Sequence, residues 1–184
     1  MPQISKQGCR VGARGGFTLL EFAVSLSVLL VALLALSQSI VTSMRLADSS
    51  RETRLASSAS RAMLELLDGA DDFASVFRRY NANPDDDGAL LAPGSHFPVN
   101  GLAACKDDLD GMVGEIVFPT AGFELREDLV DPSLGMPRDL NGDGLIDSLD
   151  HSQDFRLLPV LVHLRWTGAD GERTLEMRTL LADR

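Results

Sequence analysis

The chain has 184 residues with 45% hydrophobic side chains, which suits one membrane-spanning segment followed by one modest domain. The net charge is −10, and because residues 1–16 carry +3, residues 17–184 carry −13. A domain this acidic repels a phosphate backbone, so binding of nucleic acid through bulk charge is not expected.

A basic leader precedes a long uncharged apolar run. The basic residues of the leader are Lys6, Arg10 and Arg14. The run from Phe22 to Met44 has 23 residues without a charge, which is long enough to cross a bilayer as a helix. A basic leader predicts a cytoplasmic N-terminus and a domain on the far side of the membrane. A secretory signal has a shorter apolar core and a small-residue cleavage site after it, whereas here Gly15 and Gly16 precede the run.

Glu21 stands at the head of the apolar run, where an ionised group is costly unless it has a partner. The run itself offers no positive charge. If the chain is cleaved after Gly16, a free α-amino group appears on Phe17. That amine is a cation that Glu21 can meet.

The segment Gly16-Phe17-Thr18-Leu19-Leu20-Glu21 resembles the prepilin processing motif of type IV pilins and type II secretion pseudopilins. The resemblance implies cleavage between Gly16 and Phe17 by a membrane prepilin peptidase, with N-methylation of the new Phe17 amine. It also implies that Glu21 pairs with the Phe17 amine of a neighbouring subunit. Other pilins or pseudopilins and an inner-membrane assembly platform are the partners that follow from it. The implied location is the bacterial inner membrane, as a single-pass protein with a periplasmic domain and, after assembly, a filament or the cell surface.

Within this class the acidic domain, the lack of a cysteine pair and a helix without proline favour a minor pseudopilin of a type II secretion-like system. Many major pilins have a kinking proline in this helix, and this chain has none between Phe17 and Asn83. A minor type IV pilin, acting in pilus priming, adhesion or DNA uptake, remains an alternative. Two further alternatives are a membrane-tethered, calcium-dependent protein-binding module and a surface hydrolase on a signal anchor.

Neither the histidines nor the cysteines indicate an enzyme. The three histidines are scattered, no serine lies in a nucleophile-elbow pattern, and no phosphate-binding glycine loop is present. We expect His163 to lie on the surface and His151 to be solvated, and we assign no catalytic residue. Cys9 belongs to the leader, so Cys105 would be alone in the mature chain and is expected to be a buried structural thiol.

The helix predicted from Phe17 should continue beyond the membrane, with residues 17–44 apolar and residues 45–68 amphipathic. Apolar residues recur there at three- and four-residue steps, at Leu55, Ala59, Ala62, Met63, Leu66 and Leu67. Gly69 is a suitable stop. The second half of the helix should cover a sheet built from residues 69–184.

The middle of the chain carries weaker signals. Residues 71–80 have helical spacing, and residues 115–118 and 123–126 are short strand candidates. Residues 81–88 are acidic and turn-like. Some of them mimic the start of a calcium loop, namely Asn83, Asp85, Asp87 and Gly88. Because no acidic residue follows at the later loop positions, we interpret this segment as a solvated loop.

The C-terminal part predicts a β-hairpin. Residues 155–166 alternate between apolar and more polar side chains, residues 167–171 form a turn, and residues 173–181 alternate again. Pro159 cannot donate a ladder hydrogen bond, so it should lie at an edge position or a bulge. The predicted fold class is α+β, with one long helix packed on a small antiparallel sheet.

Residues 139–150 match the twelve-residue calcium loop, with glycine at position 6 (Gly144) and an aliphatic anchor at position 8 (Ile146). The predicted calcium ligands are Asp139, Asn141, Asp143, Leu145 through its carbonyl, Asp147 and Asp150. Position 12 is aspartate rather than glutamate, as in dockerin loops. Pro137 argues against a helix leading into the loop, so we predict an isolated structural calcium loop between strands. The alternative is an acidic turn that faces water.

Overall fold

The computed structural model describes residues 18–83 and 94–183, so Gly16, Phe17 and most of the acidic segment 81–88 lie outside the described residues. The chain divides into two compact units, Met1–Met44 and Arg45–Arg184. The described elements are α1 (Leu19–Asp68), α2 (Phe73–Tyr80), β1 (His96–Phe97), β2 (Gly114–Val117), β3 (Thr120–Ala121), β4 (Glu124–Leu125), β5 (Leu157–Gly168) and β6 (Gly171–Ala182).

In the first unit, α1 presents its apolar side chains outward. Thr18 precedes the helix, and its Oγ1 accepts a hydrogen bond from the amide of Glu21 at 3.2 Å. Four hydroxyl groups in the apolar part donate to the carbonyl four residues earlier, those of Ser27, Ser37, Thr42 and Ser43. These bonds satisfy the hydroxyl donors without water, as a lipid environment requires. By length and composition, α1 is suited to a membrane span or a signal anchor.

In the second unit, the part of α1 after Met44 buries a narrow stripe. Ala56, Ser60 and Leu67 are fully buried, and Ala59 and Met63 pack beside them. The predicted amphipathic face is therefore present, although it is rotated, since Leu66 is 55% exposed. Two of the buried side chains, those of Ala56 and Ser60, are small.

The sheet has four antiparallel strands in the order β1-β2-β5-β6, and β3 and β4 form a separate two-stranded sheet. The predicted hairpin is confirmed as β5 and β6, which run in register from Leu157↔Ala182 to Gly168↔Gly171. β2 pairs only with residues 161–164 of β5, so Pro159 has a strand neighbour on the β6 side alone. The predicted edge position of Pro159 is confirmed.

Two polar contacts join α1 to the end of the hairpin. Trp166 Nε1 donates to Glu52 Oε2 at 3.3 Å, and Arg173 Nη1 donates to Ser49 Oγ at 2.6 Å. A Cβ atom at Gly168 would lie 2.5 Å from Glu52 Oε2, so the glycine permits this close approach. The α+β fold class is confirmed, as a long helix packed on a small antiparallel sheet in a pilin-like architecture.

The core of the second unit is completed by α2, which confirms the helix predicted at residues 71–80. Phe77 packs edge-on against Phe118 and Phe155, with ring centroids 5.4 and 6.4 Å apart. Such tilted aromatic pairs are favourable beyond the area that they bury. Cys105 is buried with a free thiol, as predicted.

Candidate metal centre

The predicted loop, residues 139–150, lies between β4 and β5, and no helix directly adjoins it. Gly144 has a φ of +86°, in the left-handed region that glycine adopts readily. The chain can therefore turn sharply at this glycine. Ile146 does not anchor the loop, because its side chain is 51% exposed. A single loop has no second loop against which to pair this position.

The first half of the loop is held by side chains that accept backbone hydrogen bonds. Asp139 accepts bonds from the amides of Gly142 at 2.6 Å and Gly144 at 2.8 Å. The bond from Gly144, followed by that from Gly142, lowers the pKa of the Asp139 carboxyl below its usual value. Hydrogen bonds to the charged form favour that form, so Asp139 is a carboxylate at neutral pH.

The next two predicted ligands continue this pattern. Asn141 Oδ1 accepts a bond from the Asp143 amide at 2.9 Å, and Asp143 Oδ1 accepts one from the Leu145 amide at 2.8 Å. The Asn141 amide nitrogen lies 3.3 Å from Asp143 Oδ2 and 3.5 Å from Asp154 Oδ2. Asn141, Asp143 and Asp154 therefore lie together. Asp154 has no place in the twelve-residue pattern.

Asp147 turns towards a histidine. Its Oδ1 accepts a bond from the Leu149 amide at 2.8 Å and lies 3.2 Å from His151 Nε2. These two bonds, the one from Leu149 first, lower the pKa of Asp147. Asp147 is thus oriented by a residue outside the predicted ligand set.

Asp150, the predicted ligand at position 12, accepts hydrogen bonds from β4 and from Ser152. Its Oδ1 accepts bonds from the amides of Leu125 and Ser152, both at 3.0 Å, and its Oδ2 accepts one from Ser152 Oγ at 2.9 Å. The Asp150 carboxylate thus ties the end of the loop to β4.

The expectation that His151 is solvated is wrong, since only 4% of the residue is exposed. Its Nδ1 lies 3.1 Å from Asp154 Oδ1, and its Nε2 faces Asp147. Burial by itself would lower the pKa of His151, but the hydrogen bonds to Asp147 and Asp154 and the nearby Glu127 outweigh burial and raise it. Three carboxyl groups thus enclose the imidazole.

Glu127 is a residue that the sequence did not indicate. It is 1% exposed, and its Oε1 accepts hydrogen bonds from the amides of Leu140 and Asn141 at the start of the loop. Its Oε2 lies 3.7 Å from His151 Nε2. Glu127 therefore connects the first turn of the loop to the residue that follows the loop.

Donor atoms of Glu127, Asp147 and His151 all lie within 4.8 Å of one another, a spacing at which they could share a metal ion. Carboxylate oxygens suit hard cations, and an imidazole nitrogen also suits transition metals. His151 and Asp154 could have been found from their spacing in the sequence. His151 lies four residues after Asp147, and Asp154 lies three residues after His151. Glu127 had no such signal.

Comparison with models of known protein families, with curated proteins and with solved structures found no match to this chain.

Proposed function

We propose that the chain is a structural subunit, a minor pseudopilin of a type II secretion-like system. It is cleaved after Gly16, anchored in the inner membrane by α1, and assembled into a short periplasmic filament that drives protein export. The observation that carries the proposal is Glu21, placed five residues after Gly16 at the head of an apolar helix. Apolar side chains exposed along α1 need lipid or the helices of neighbouring subunits, and both are available to a pilin-like protein.

The mature N-terminus tests this proposal. In cells with an active prepilin peptidase, mass spectrometry of the purified protein should find a methylated Phe17 as the first residue. Gly16→Leu should block the cleavage, because a side chain is added at the bond to be cut, whereas Gly15→Leu is a control that should be processed. Retention of Met1 in the wild-type protein would contradict the proposal.

Glu21→Ala should be processed normally yet be lost from the filament. The carboxylate has no positive partner in its own apolar run, and the Phe17 amine of a neighbour would supply one. The measurement is the amount of the subunit in sheared filament fractions relative to the membrane fraction. Glu65→Ala, an exposed substitution later in the same helix, is the matched control and should assemble normally. Normal incorporation of Glu21→Ala would remove the docking role.

The proposal includes a structural Ca²⁺ in the loop of residues 139–150. It is supported by carboxylates that backbone hydrogen bonds already orient, and by the glycine turn at Gly144. Asp139, Asn141, Asp143, the Leu145 carbonyl and Asp147 would hold the ion. Asp150 would have to leave Leu125 to reach it, and Asp154 is an alternative carboxylate. The ion would neutralise clustered negative charge once the domain reaches the calcium-rich side of the membrane.

A minor type IV pilin is an alternative with the same architecture. Neighbouring genes distinguish the two, since secretin, secretion ATPase and sister pseudopilins point to secretion, and a retraction ATPase with a major pilin points to a pilus.

A calcium-dependent binding module is favoured by one observation: Leu145, Ile146 and Leu149 expose 65, 51 and 64% of their surfaces in the loop. An intact Met1 would support this module over both filament subunits.

A further inference from the structure

One row of side chains crosses the sheet on the face opposite Trp166. His96 on β1 stands opposite Glu115 on β2, and Glu115 stands opposite His163 on β5. Facing residues of adjacent antiparallel strands place their Cβ atoms about 4.5–5.5 Å apart on the same face. Two imidazoles therefore flank one carboxylate, on strands whose pairing fixes their positions.

The row continues to a fourth side chain, Asp110, and each member lies near the next. His96 Nε2 lies 3.8 Å from Asp110 Oδ2 and 3.9 Å from Glu115 Oε1. His163 Nδ1 lies 4.0 Å from Glu115 Oε2. All four residues line one groove of about 480 Å³. These separations are too long for hydrogen bonds, so the groups face one another across a gap.

A metal ion between these side chains would draw their ligand atoms closer together. Bonds of about 2.0–2.1 Å in a tetrahedral zinc site separate the ligand atoms by roughly 3.3–3.4 Å. The distances of 3.8–4.0 Å between neighbours in the row need to close by about half an ångström. Because no three donor atoms of these four residues lie within 4.8 Å of one another, the side chains at the ends of the row must also turn inward. The side chains are 29–47% exposed, so they can make that adjustment and an ion can reach them.

Two of the four residues are already oriented by other partners. Ser95 is buried, and its Oγ lies 3.1 Å from His96 Nδ1. With the proton on Nδ1, the Nε2 lone pair of His96 is left for a metal. The Met112 amide donates to Asp110 Oδ1 at 2.8 Å, so that Oδ2 is the oxygen that faces His96. Such partners normally orient the ligands of a metal site.

We propose that His96, Asp110, Glu115 and His163 form a binding site for a divalent transition metal of the Zn²⁺ class. Two imidazole nitrogens with two carboxylates suit such an ion better than Ca²⁺, which prefers oxygen ligands alone. Four protein ligands make a closed, structural site. The ion would join β1 and the segment before β2 to β5. The site shares no residue with the loop of residues 139–150 and does not depend on the proposed calcium ion or on filament assembly.

The test uses the untagged full-length protein in detergent, stripped with a chelator and then supplied with excess Ca²⁺. Titration with Zn²⁺ should give one tight site per chain. His96→Gln and His163→Gln should each weaken binding by roughly tenfold or more. Asp170→Asn, in the turn between β5 and β6, is the control and should bind Zn²⁺ like the wild type. His151→Gln tests whether the ion binds at the loop of residues 139–150 instead. Circular dichroism checks that each variant is folded.

Electron paramagnetic resonance of the wild-type protein loaded with one Cu²⁺ counts the coordinating nitrogens without a substitution. Two nitrogens are expected, and none or one would overturn the proposal. The proposal would also be overturned if Zn²⁺ did not bind to the wild type, or if His96→Gln and His163→Gln both bound Zn²⁺ normally. It would be overturned as well if His151→Gln were the one variant that abolished Zn²⁺ binding. In the last case the ion would belong to the loop.

Discussion

Replacing Glu127 with alanine should lower the free energy of unfolding by about 2–5 kcal/mol in the absence of calcium. The Glu127 carboxyl group accepts hydrogen bonds from the amides of Leu140 and Asn141, and the Leu140 amide is buried. A buried donor without a partner costs about 1–3 kcal/mol, and His151 would also lose a neighbouring carboxylate. Denaturant unfolding, followed by the fluorescence of the single, buried Trp166, measures the change.

Two further variants identify the cause of that loss. Glu127→Gln keeps a carbonyl oxygen that can accept both backbone bonds, so it should recover most of the stability. Glu124→Ala removes an exposed glutamate from β4, three residues earlier, and should change stability by less than about 0.5 kcal/mol. If Glu127→Ala were as mild as Glu124→Ala, Glu127 would not be the residue that holds the start of the loop.

The elements that were predicted from the sequence depend on short-range patterns. The alternation along β5 and β6 persists because these strands are neighbours in the chain and pair through a two-residue turn, with Gly168 opposite Gly171. The long helix could be predicted equally well, because the apolar and amphipathic patterns of α1 lie in one continuous segment of the sequence. Even so, periodicity did not fix which side of α1 is buried, since Leu66 faces outward.

In the group of Glu127, Asp147 and His151, only Asp147 was among the predicted ligands. The hydrogen bonds that Asp139 and Asn141 accept from backbone amides of the loop span at most five residues, and the loop pattern encodes them. Glu127 joins the loop from 13 and 14 residues away, and Asp150 is drawn to Leu125 across 25 residues. Such contacts arise from the tertiary fold, so the spacing of residues could not show that the Asp150 carboxylate accepts a hydrogen bond from the Leu125 amide.

The row of His96, Glu115 and His163 was missed for a related reason. His96, Glu115 and His163 are far apart in sequence, and only the register of β1, β2 and β5 aligns them. Because β1 has two residues, its sequence carries no detectable alternation. His163 was expected on the surface and is partly exposed, but its neighbours on its face of the sheet depend on strand pairing.

Asp143→Ala should abolish the stabilisation by calcium while changing the melting temperature little in chelator. An ion that binds the folded state at a hundred times its dissociation constant stabilises it by about 2.7 kcal/mol. For a chain of this size that raises the melting temperature by about 5–10 °C. Asp143→Asn keeps an acceptor for the Leu145 amide, so its loss of the calcium effect would be due to the missing charge. Equal melting of the wild type with and without calcium would reject the site.

Two control variants locate the effect within the loop. Asp170→Asn, in the turn between β5 and β6, should retain the full calcium response. Asp150→Ala should melt lower both with and without calcium, because it loses the bond from the Leu125 amide in either state. A calcium response that survives in Asp150→Ala and disappears in Asp154→Ala would make Asp154 the carboxylate that completes the site. The reverse result would mean that Asp150 leaves β4 to bind the ion, so that calcium binding would detach the end of the loop from Leu125.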